Sequence, residues 1–319
     1  MSTREFSIIE RYFKPLATLS QHENTVIIGP GDDCAVLRVP DGQELCVSTD
    51  TLLEGVHFLP NSRAKVVASR TMAANLSDLA AMGASPYAFL LAMTFPEARE
   101  DWLEDFSATL SDIIKQYQVP LVGGNLSKGP LSLTVTVMGT VPAGSALKRS
   151  GASVGDDIYV TGTLGDAAQG LALLRKGEVN GYLVSRYQFP VARIAAGRQL
   201  RGLAKSLIDI SDGLVAEIGH LGEADSLGAE IAAGELPLSK ELVQSAGQEA
   251  AIGMALFAGD DYELCFTADP ADSGKIKAVS ASVGVPMTRI GVVTESDKIV
   301  IRNSKGEPME FGRPGYEHF

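Results

Sequence analysis

The chain has 319 residues, 45% of them hydrophobic and 21% charged, with a formal net charge of −12 and a pI near 4.9. That length favours two domains, and that apolar content can bury two cores. The acidic balance, with no basic stripe, excludes a nucleic-acid binder and implies that anionic ligands arrive with bridging cations. The cysteines Cys34, Cys46 and Cys265 form no C-x-x-C pair, so they indicate neither a disulfide framework nor a zinc site and read as buried small apolar residues in a reducing compartment. No signal-peptide core opens the chain and no segment reaches the roughly 18 apolar residues of a membrane span. A cytoplasmic protein without membrane contact is expected.

From the N-terminus, Phe6, Ile9, Tyr12 and Phe13 recur at helical spacing and predict a short amphipathic helix stopped by Pro15. A strand over Val26 to Ile28 runs into Gly29-Pro30-Gly31, with Asp32 and Asp33 at the tip of a tight turn. Asp41-Gly42 between apolar-alternating arms predicts a hairpin over 35–47, its second arm ending at Ser48-Thr49-Asp50. An Ala-rich helix over about 63–82 carries Asn75 and Asp78 three apart, hence on one face. Lone histidines are more often structural than functional. His57, on the loop shortly after Asp50, is a candidate substrate contact beside that reading.

The continuous apolar run Tyr87 to Met93 predicts a strand buried on both faces. Trp102, Phe106, Leu110, Ile113 and Tyr117 mark a core-facing helix. A Gly123-Gly124-Asn125 turn then presents a polar group at a strand end, before a half-buried strand over Leu131 to Val137. Small turn residues over Val141 to Gly144 place a boundary between a domain of residues 1–141 and one of 142–319. Arg149, just beyond, suits a phosphate through its planar fork and equally suits a solvated linker.

The second domain opens with a strand over Ile158 to Thr163 and a helix over Asp166 to Leu174; the Gly-rich turn between them has neither a P-loop nor a dinucleotide pattern. A helix over about 191–204 leads into the strand Leu207 to Ile210 and the Ser211-Asp212-Gly213 turn, where Asp212 could cap the helix that follows. Gly259-Asp260-Asp261 precedes a strand over Tyr262 to Thr267, and Ile290 to Val293 with Lys298 to Ile301 read as a strand pair.

Four stretches, Gly31 to Asp33, Ser48 to Thr51, Asn75 to Asp78 and Asp209 to Gly213, set Asp beside Gly, Ser, Thr or Asn and contain no Lys or Arg. Any one of them alone is ordinary turn or cap chemistry. Two carboxylates about 4 Å apart repel by about 4 kcal/mol at an effective dielectric near 20. Converging turns of this kind therefore need cations, and hard oxygen donors indicate Mg²⁺ or Ca²⁺ beside a polyphosphate.

The motifs as a set resemble those of thiamine-monophosphate kinases, a family within the superfamily that includes aminoimidazole ribonucleotide synthetase and selenophosphate synthetase. The resemblance is carried by Gly31-Asp32-Asp33-Cys34-Ala35-Val36, Ser48-Thr49-Asp50-Thr51, Gly55-Val56-His57-Phe58 and the run Asn75 to Ala84. It continues through Arg149-Ser150-Gly151-Ala152, Val160 to Asp166, Asp209 to Leu214 and Asp260-Asp261-Tyr262-Glu263-Leu264, in family order over almost the whole chain.

The resemblance implies an α+β fold of two domains with aminoimidazole ribonucleotide synthetase-like architecture, each a mixed sheet packed with helices. The first domain is then expected to bind metal and ATP and to dimerise, the second to complete the nucleotide and substrate site, and the protein to be a homodimer. The implied activity is Mg-dependent phosphorylation of thiamine monophosphate to thiamine diphosphate by direct in-line transfer of the γ-phosphoryl group of ATP. Asp32, Ser48, Thr49, Asp50, Asp78, Asp209 and Asp212 would ligate several Mg²⁺ ions with Asp33 beside them, Asp50, Asp78 and Asp212 being the catalytic carboxylates. Gly124, Arg149 and Ser211 would contact ATP, and His57, Asp260 and Tyr316 the thiamine phosphate.

Two positions depart from the family pattern. Asn125 stands where many relatives carry Asp, offering the metal an amide oxygen with less charge, and Asp260 replaces a usual Glu, one methylene shorter. The alternatives are a related ATP-dependent ring-closing ligase and a non-catalytic Mg-nucleotide sensor. The ligase would normally carry Asp-Gly-Val-Gly-Thr-Lys where this chain has Asp50-Thr51-Leu52-Leu53; the sensor would use the same ligands.

Overall fold

The computed structural model describes residues 4–19, 25–303 and 305–309, so Tyr316 lies outside the described residues. The chain divides into two compact units, Met1–Leu79 with Ala84–Gly144, and Ala80–Gly83 with Ser145–Phe319. Each carries its own mixed sheet packed with helices, the two-domain α+β arrangement expected from the motifs.

The first unit begins with α1 (Arg4–Ile8), a π-helical turn (Ile9–Phe13) and a 3₁₀ turn (Lys14–Thr18). Pro15 does not stop the helical run. It sits in the first turn of the 3₁₀ segment, where its missing N–H leaves no bond unmade. The ribbon of β1 (Val26–Ile28) and β2 (Val36–Leu37) packs Val26 and Leu37, together with Met138, against the buried cluster Tyr87, Ala88 and Val122. Then come β3 (Gln43–Leu53), α2 (Ala64–Ala81), β4 (Ser85–Phe95), α3 (Glu100–Tyr117), β5 (Leu121–Lys128) and β6 (Ser132–Pro142), with strand order β3-β6-β4-β5. Only the β4–β5 pair in this sheet is parallel.

The hairpin expected over 35–47 is not formed. β2 pairs with β1, while β3 pairs with β6 in unbroken register from Gln43↔Pro142 to Leu53↔Ser132. Eleven residues of alternating β6 offer β3 far more ladder than two residues of β2, so Asp41-Gly42 turns the chain between sheets. Ser48 to Thr51 consequently lies inside a strand, and Gly123-Gly124-Asn125 inside β5. A Cβ at Gly124 would stand 1.9 Å from the Leu91 carbonyl oxygen, so glycine is what lets β5 approach β4.

One face of the sheet is buried along its length, and the β1–β2 ribbon covers only part of the other. Leu52, Leu91, Met93, Leu133, Val135 and Val137 are buried, and Leu79 of α2 meets Gly139 of β6. β4 was expected to be buried on both faces; Tyr87, Ala88 and Phe89 are buried in succession under the β1–β2 ribbon and the helices, but farther along Leu90 is 36% exposed while Leu91 is 4%. A sheet with antiparallel pairs can leave one side uncovered by its own helices. On that open side run cross-strand threonine pairs, Thr51–Thr134 at 2.8 Å and Thr49–Thr136 at 3.1 Å. The core stripe of α3 is Leu103, Phe106, Leu110 and Ile114; Trp102 flanks it, stacked on Phe106 with ring centroids 5.0 Å apart.

In the second unit the elements are β7 (Asp157–Thr161), α4 (Asp166–Arg175), α5 (Tyr182–Gln188), α6 (Ile194–Leu200), β8 (Ala204–Asp209), α7 (Leu214–Asp225), β9 (Gly228–Ala232), α8 (Lys240–Ala246), α9 (Gln248–Phe257), β10 (Leu264–Ala268), α10 (Ser273–Val283), β11 (Met287–Thr294) and β12 (Ile299–Arg302). The strand order is β12-β9-β11-β7-β10-β8. The two strands expected to pair near the C-terminus, β11 and β12, are separated by β9, which pairs with both. Ile158, Val160, Ile208, Ile210, Leu214, Ile218, Leu256, Cys265 and Ile290 belong to one buried cluster that ties α7 and α9 to the sheet. Of the cysteines, Cys265 is buried as expected, but Cys34 is exposed, because it follows the Asp32–Asp33 turn rather than a strand. Among the described residues no helix is long and apolar enough to cross a membrane.

Candidate active site

In the first unit the strand period of two decides which side chains meet. Ser48 and Asp50 face α2. The Ser48 hydroxyl donates to Asp78 Oδ2 at 2.5 Å, and the Asp50 N–H donates to Asn75 Oδ1 at 3.2 Å. Asn75 is fully buried and donates to the Thr71 carbonyl at 2.9 Å, so it brackets helix and strand together. The sequence therefore brings Ser48, Asp50, Asn75 and Asp78 to one place through two periodicities, two on the strand and three on the helix.

Two expected ligands go elsewhere. Thr49 points to the opposite face of β3, where its hydroxyl donates to the Val135 carbonyl at 3.0 Å. Asn125 aligns with Ala92, Thr134 and Thr51 on that same open face, and its amide donates to Ser127 Oγ at 2.9 Å. β5 is three strand spacings from β3, about 14 Å. The structure thus does not bring the Thr49 hydroxyl or the Asn125 amide to the Ser48–Asp50–Asp78 group. Reading these stretches as turns hid the alternation that separates them. Asp32 and Asp33 are exposed on the connection between β1 and β2.

His57 closes the turn after β3. Its Nδ1 accepts the Leu53 N–H at 3.0 Å, and its carbonyl accepts from Nε of the fully buried Arg70 at 3.0 Å. One ring nitrogen is thereby committed to the turn, the structural role weighed for it from sequence.

In the second unit, Asp209 ends β8 and is 7% exposed. Asp212 does not cap α7: the N-cap is Gly213, without a side-chain bond. Gly213 has φ +121°, and a Cβ there would lie 2.8 Å from the Phe257 carbonyl carbon. Instead Glu217 reaches back from the first turns of α7, its Oε1 accepting the Ser211 hydroxyl at 3.1 Å and the Asp212 N–H at 3.2 Å. Burial at 3% exposure pushes the Glu217 carboxyl up from its usual range, with the Asp212 N–H acting against the shift. Sequence reading missed Glu217; the signal was an acid on the apolar face shared by Leu214, Ile218 and Leu221.

Arg149 is exposed beside β8. The Lys148 carbonyl accepts the Leu207 N–H at 2.8 Å, and Asp225 takes the N–H groups of Gly151 and Ala152 at 2.7 and 2.9 Å. The segment is pinned along the strand that leads to Asp209. Asp260 is brought to the same end of the sheet, its N–H donating to the Ser211 carbonyl at 2.9 Å. Among the described residues no group of three or more His, Cys, Asp or Glu side chains is gathered as a ready metal cage.

Residues 31–141 match the family model described as AIR synthase related protein, N-terminal domain, and residues 153–303 its C-terminal domain, so the fold is that of the AIR synthase related proteins. Thiamine-monophosphate kinase of Escherichia coli K12 is 44% identical, with 100% of this chain and 99% of that protein covered. A crystal structure of thiamine-monophosphate kinase from Stenotrophomonas maltophilia K279a superposes with a TM-score of 0.87 at 40% identity, covering 97% of this chain and 99% of that one. A structure of AaThiL complexed with AMPPCP and TMP gives a TM-score of 0.78 at 32% identity, covering 90% and 91%. The chain belongs to the thiamine-monophosphate kinase family.

Proposed function

We propose that the chain transfers the γ-phosphoryl group of ATP to the phosphate of thiamine monophosphate, giving thiamine diphosphate and ADP. The observation that carries this reading is end-to-end similarity to thiamine-monophosphate kinases, 44% identity over 100% of the chain, joined to a relative complexed with AMPPCP, an ATP analogue, and TMP.

The acceptor phosphate is already an oxyanion near pH 7, so the chain need not supply a strong base. The barrier is repulsion between two anionic chains and their alignment. In a direct in-line transfer, a new bond forms from an acceptor oxygen to the γ-phosphorus as the bond to the β–γ bridging oxygen breaks, and no phosphoenzyme forms.

Mg²⁺ fits the donors present. They are hard oxygens, and Mg²⁺ is usually held by one or two carboxylates with waters and phosphate oxygens rather than by an all-protein cage. Several such ions are proposed: in the first unit Asp32, Asp33, Ser48, Asp50 and Asp78 would be the donors, and in the second unit Asp209 and Asp212; the Thr49 hydroxyl and the Asn125 amide lie away from the Ser48–Asp50–Asp78 group. Bound there, the ion supplies neutralisation of phosphate charge. The chain's own part is orientation: Ser48 fixes Asp78, Asn75 fixes the Asp50 backbone, and Glu217 fixes the Ser211–Asp212 turn. Gly124, Arg149 and Ser211 take the nucleotide, and His57, Asp260 and Tyr316 the thiamine phosphate.

A second copy of the chain is the partner proposed for the open sheet face, which exposes Val47 at 59%, Leu45 and Leu53 at 41% and Leu90 at 36%. A cytoplasmic placement goes with the ATP-consuming reaction. Coupled measurement of ADP release tests the function: turnover must depend on added thiamine monophosphate, and release unaffected by that acceptor would reject the kinase reading.

A further inference from the structure

The loop that carries Asp260 has a backbone its residues do not favour. Asp260 (φ +72°) and Tyr262 (φ +51°) both lie in the left-handed region, where an L side chain is strained unless its surroundings impose the conformation. Three main-chain bonds lay the loop against the end of β8: Asp260 N–H to Ser211 O at 2.9 Å, Tyr262 N–H to Ile210 O at 2.9 Å, and Ile210 N–H to Glu263 O at 2.7 Å.

The two acids that alternate with these residues are anchored in the interior, Asp261 at 2% and Glu263 at 0% exposure. Asp261 Oδ2 accepts the Gly165 N–H at the head of α4, at 2.7 Å. Glu263 accepts the Thr161 hydroxyl at 2.7 Å, Arg186 Nη2 at 2.9 Å, and Arg193 through Nε at 2.6 Å and through Nη2 at 2.5 Å. Arg186 also faces buried Asp166, Nε to Oδ2 at 3.7 Å. Such a cluster is costly to disturb, because removing one partner strands the others in the interior. The Tyr262 hydroxyl, meanwhile, donates to Asp260 Oδ1 at 3.3 Å.

We propose that Asp261, Tyr262 and Glu263 are positioning residues for the acceptor: the two buried acids clamp the left-handed loop, and the Tyr262 hydroxyl fixes the Asp260 carboxylate on the thiamine-monophosphate side. This rests on the assignment of Asp260 to the acceptor side. It also gives that shorter side chain a defined place, since Asp reaches one methylene less than Glu and tolerates less wandering.

The test is steady-state kinetics of the full chain with each substrate varied, on Tyr262→Phe, Asp260→Ala and the double variant. Tyr262→Phe raises KM for thiamine monophosphate about tenfold and leaves KM for ATP within about twofold, the loss expected for one hydrogen bond to a charged group. Asp260→Ala raises the same KM at least as far, and the double variant is no worse than Asp260→Ala, because the tyrosine acts through that carboxylate. Fully additive losses, or an unchanged Tyr262→Phe beside an impaired Asp260→Ala, overturn the positioning role and leave the assignment of Asp260 standing. Wild-type KM in Asp260→Ala overturns both. Glu263→Gln shifts KM for thiamine monophosphate in the same direction; an unchanged KM overturns the clamp, and where that variant does not fold, the tyrosine cycle decides.

Discussion

Ser48 and Asp78 are joined side chain to side chain, Oγ to Oδ2 at 2.5 Å, across thirty positions of sequence. With the Asp50 N–H on Asn75, this bond sets two carboxylates on facing elements, one from a strand and one from a helix. Asp50→Asn and Asp78→Asn keep size and hydrogen-bonding oxygen but lose charge, so kcat is expected to fall by about a hundredfold or more while the thermal midpoint moves by only a few degrees. Turnover and melting curves on the same preparations check this. A variant with near wild-type kcat would remove that residue from the phosphate-handling set.

Gly124→Ala separates two roles for one residue. The added Cβ would lie 1.9 Å from the Leu91 carbonyl oxygen, a backbone atom that cannot swing aside. The expected outcome is loss of at least about 2 kcal/mol of stability in urea unfolding. A stable variant with only a raised KM for ATP would show that the glycine serves the nucleotide and not the sheet.

Asp261 gives stability a pH dependence of known sign. Burial above all pushes its carboxyl up to about 8, against the Gly165 N–H and Arg186, which favour the ionised form. An unfolded aspartate titrates near 4, so between about pH 4 and pH 8 the folded chain holds a proton that the unfolded chain has released. This contribution is fully present below about pH 4 and is lost as pH rises through about 8. Asp261→Asn is neutral throughout and removes the slope. Urea midpoints at about pH 5, 7 and 8.5 should show the wild type losing ground to the variant as pH rises; a gap independent of pH would contradict the buried, protonated acid.

Val47→Lys places a charge on the open face of the first unit's sheet, at a residue 59% exposed in the single chain. Sedimentation velocity at micromolar concentration is expected to show a dimer for the unaltered chain and a monomer for Val47→Lys. A dimer in both would place the contact on another surface, and a monomer in both would contradict the proposed second copy.

Much of this was legible in the sequence, for definable reasons. Acids beside Ser, Thr and Asn with no basic neighbour stand out in any reading, and helical spacing alone put Asn75 and Asp78 on one face. The two-unit division and the apolar strands follow from composition and alternation. Long-range choices were not legible. Asp41-Gly42 has good hairpin chemistry, yet β3 prefers the eleven-residue ladder of β6. β9, Gly-Ala-Glu-Ile-Ala, has little β-branched character and forms because β11 and β12 offer it two edges. Thr49 and Asn125 were grouped with the acids because a turn has no faces, whereas a strand has two. The Arg193–Glu263 pairing spans seventy positions and leaves no local trace.

The central claim is phosphoryl transfer onto a phosphate, and ³¹P NMR of the products tests it most directly. After incubation with ATP, thiamine monophosphate and Mg²⁺, the thiamine monophosphate resonance should be replaced by the two coupled resonances of a diphosphate ester, formed one for one with ADP. Inorganic phosphate and ADP accumulating beside unchanged thiamine monophosphate would contradict the account.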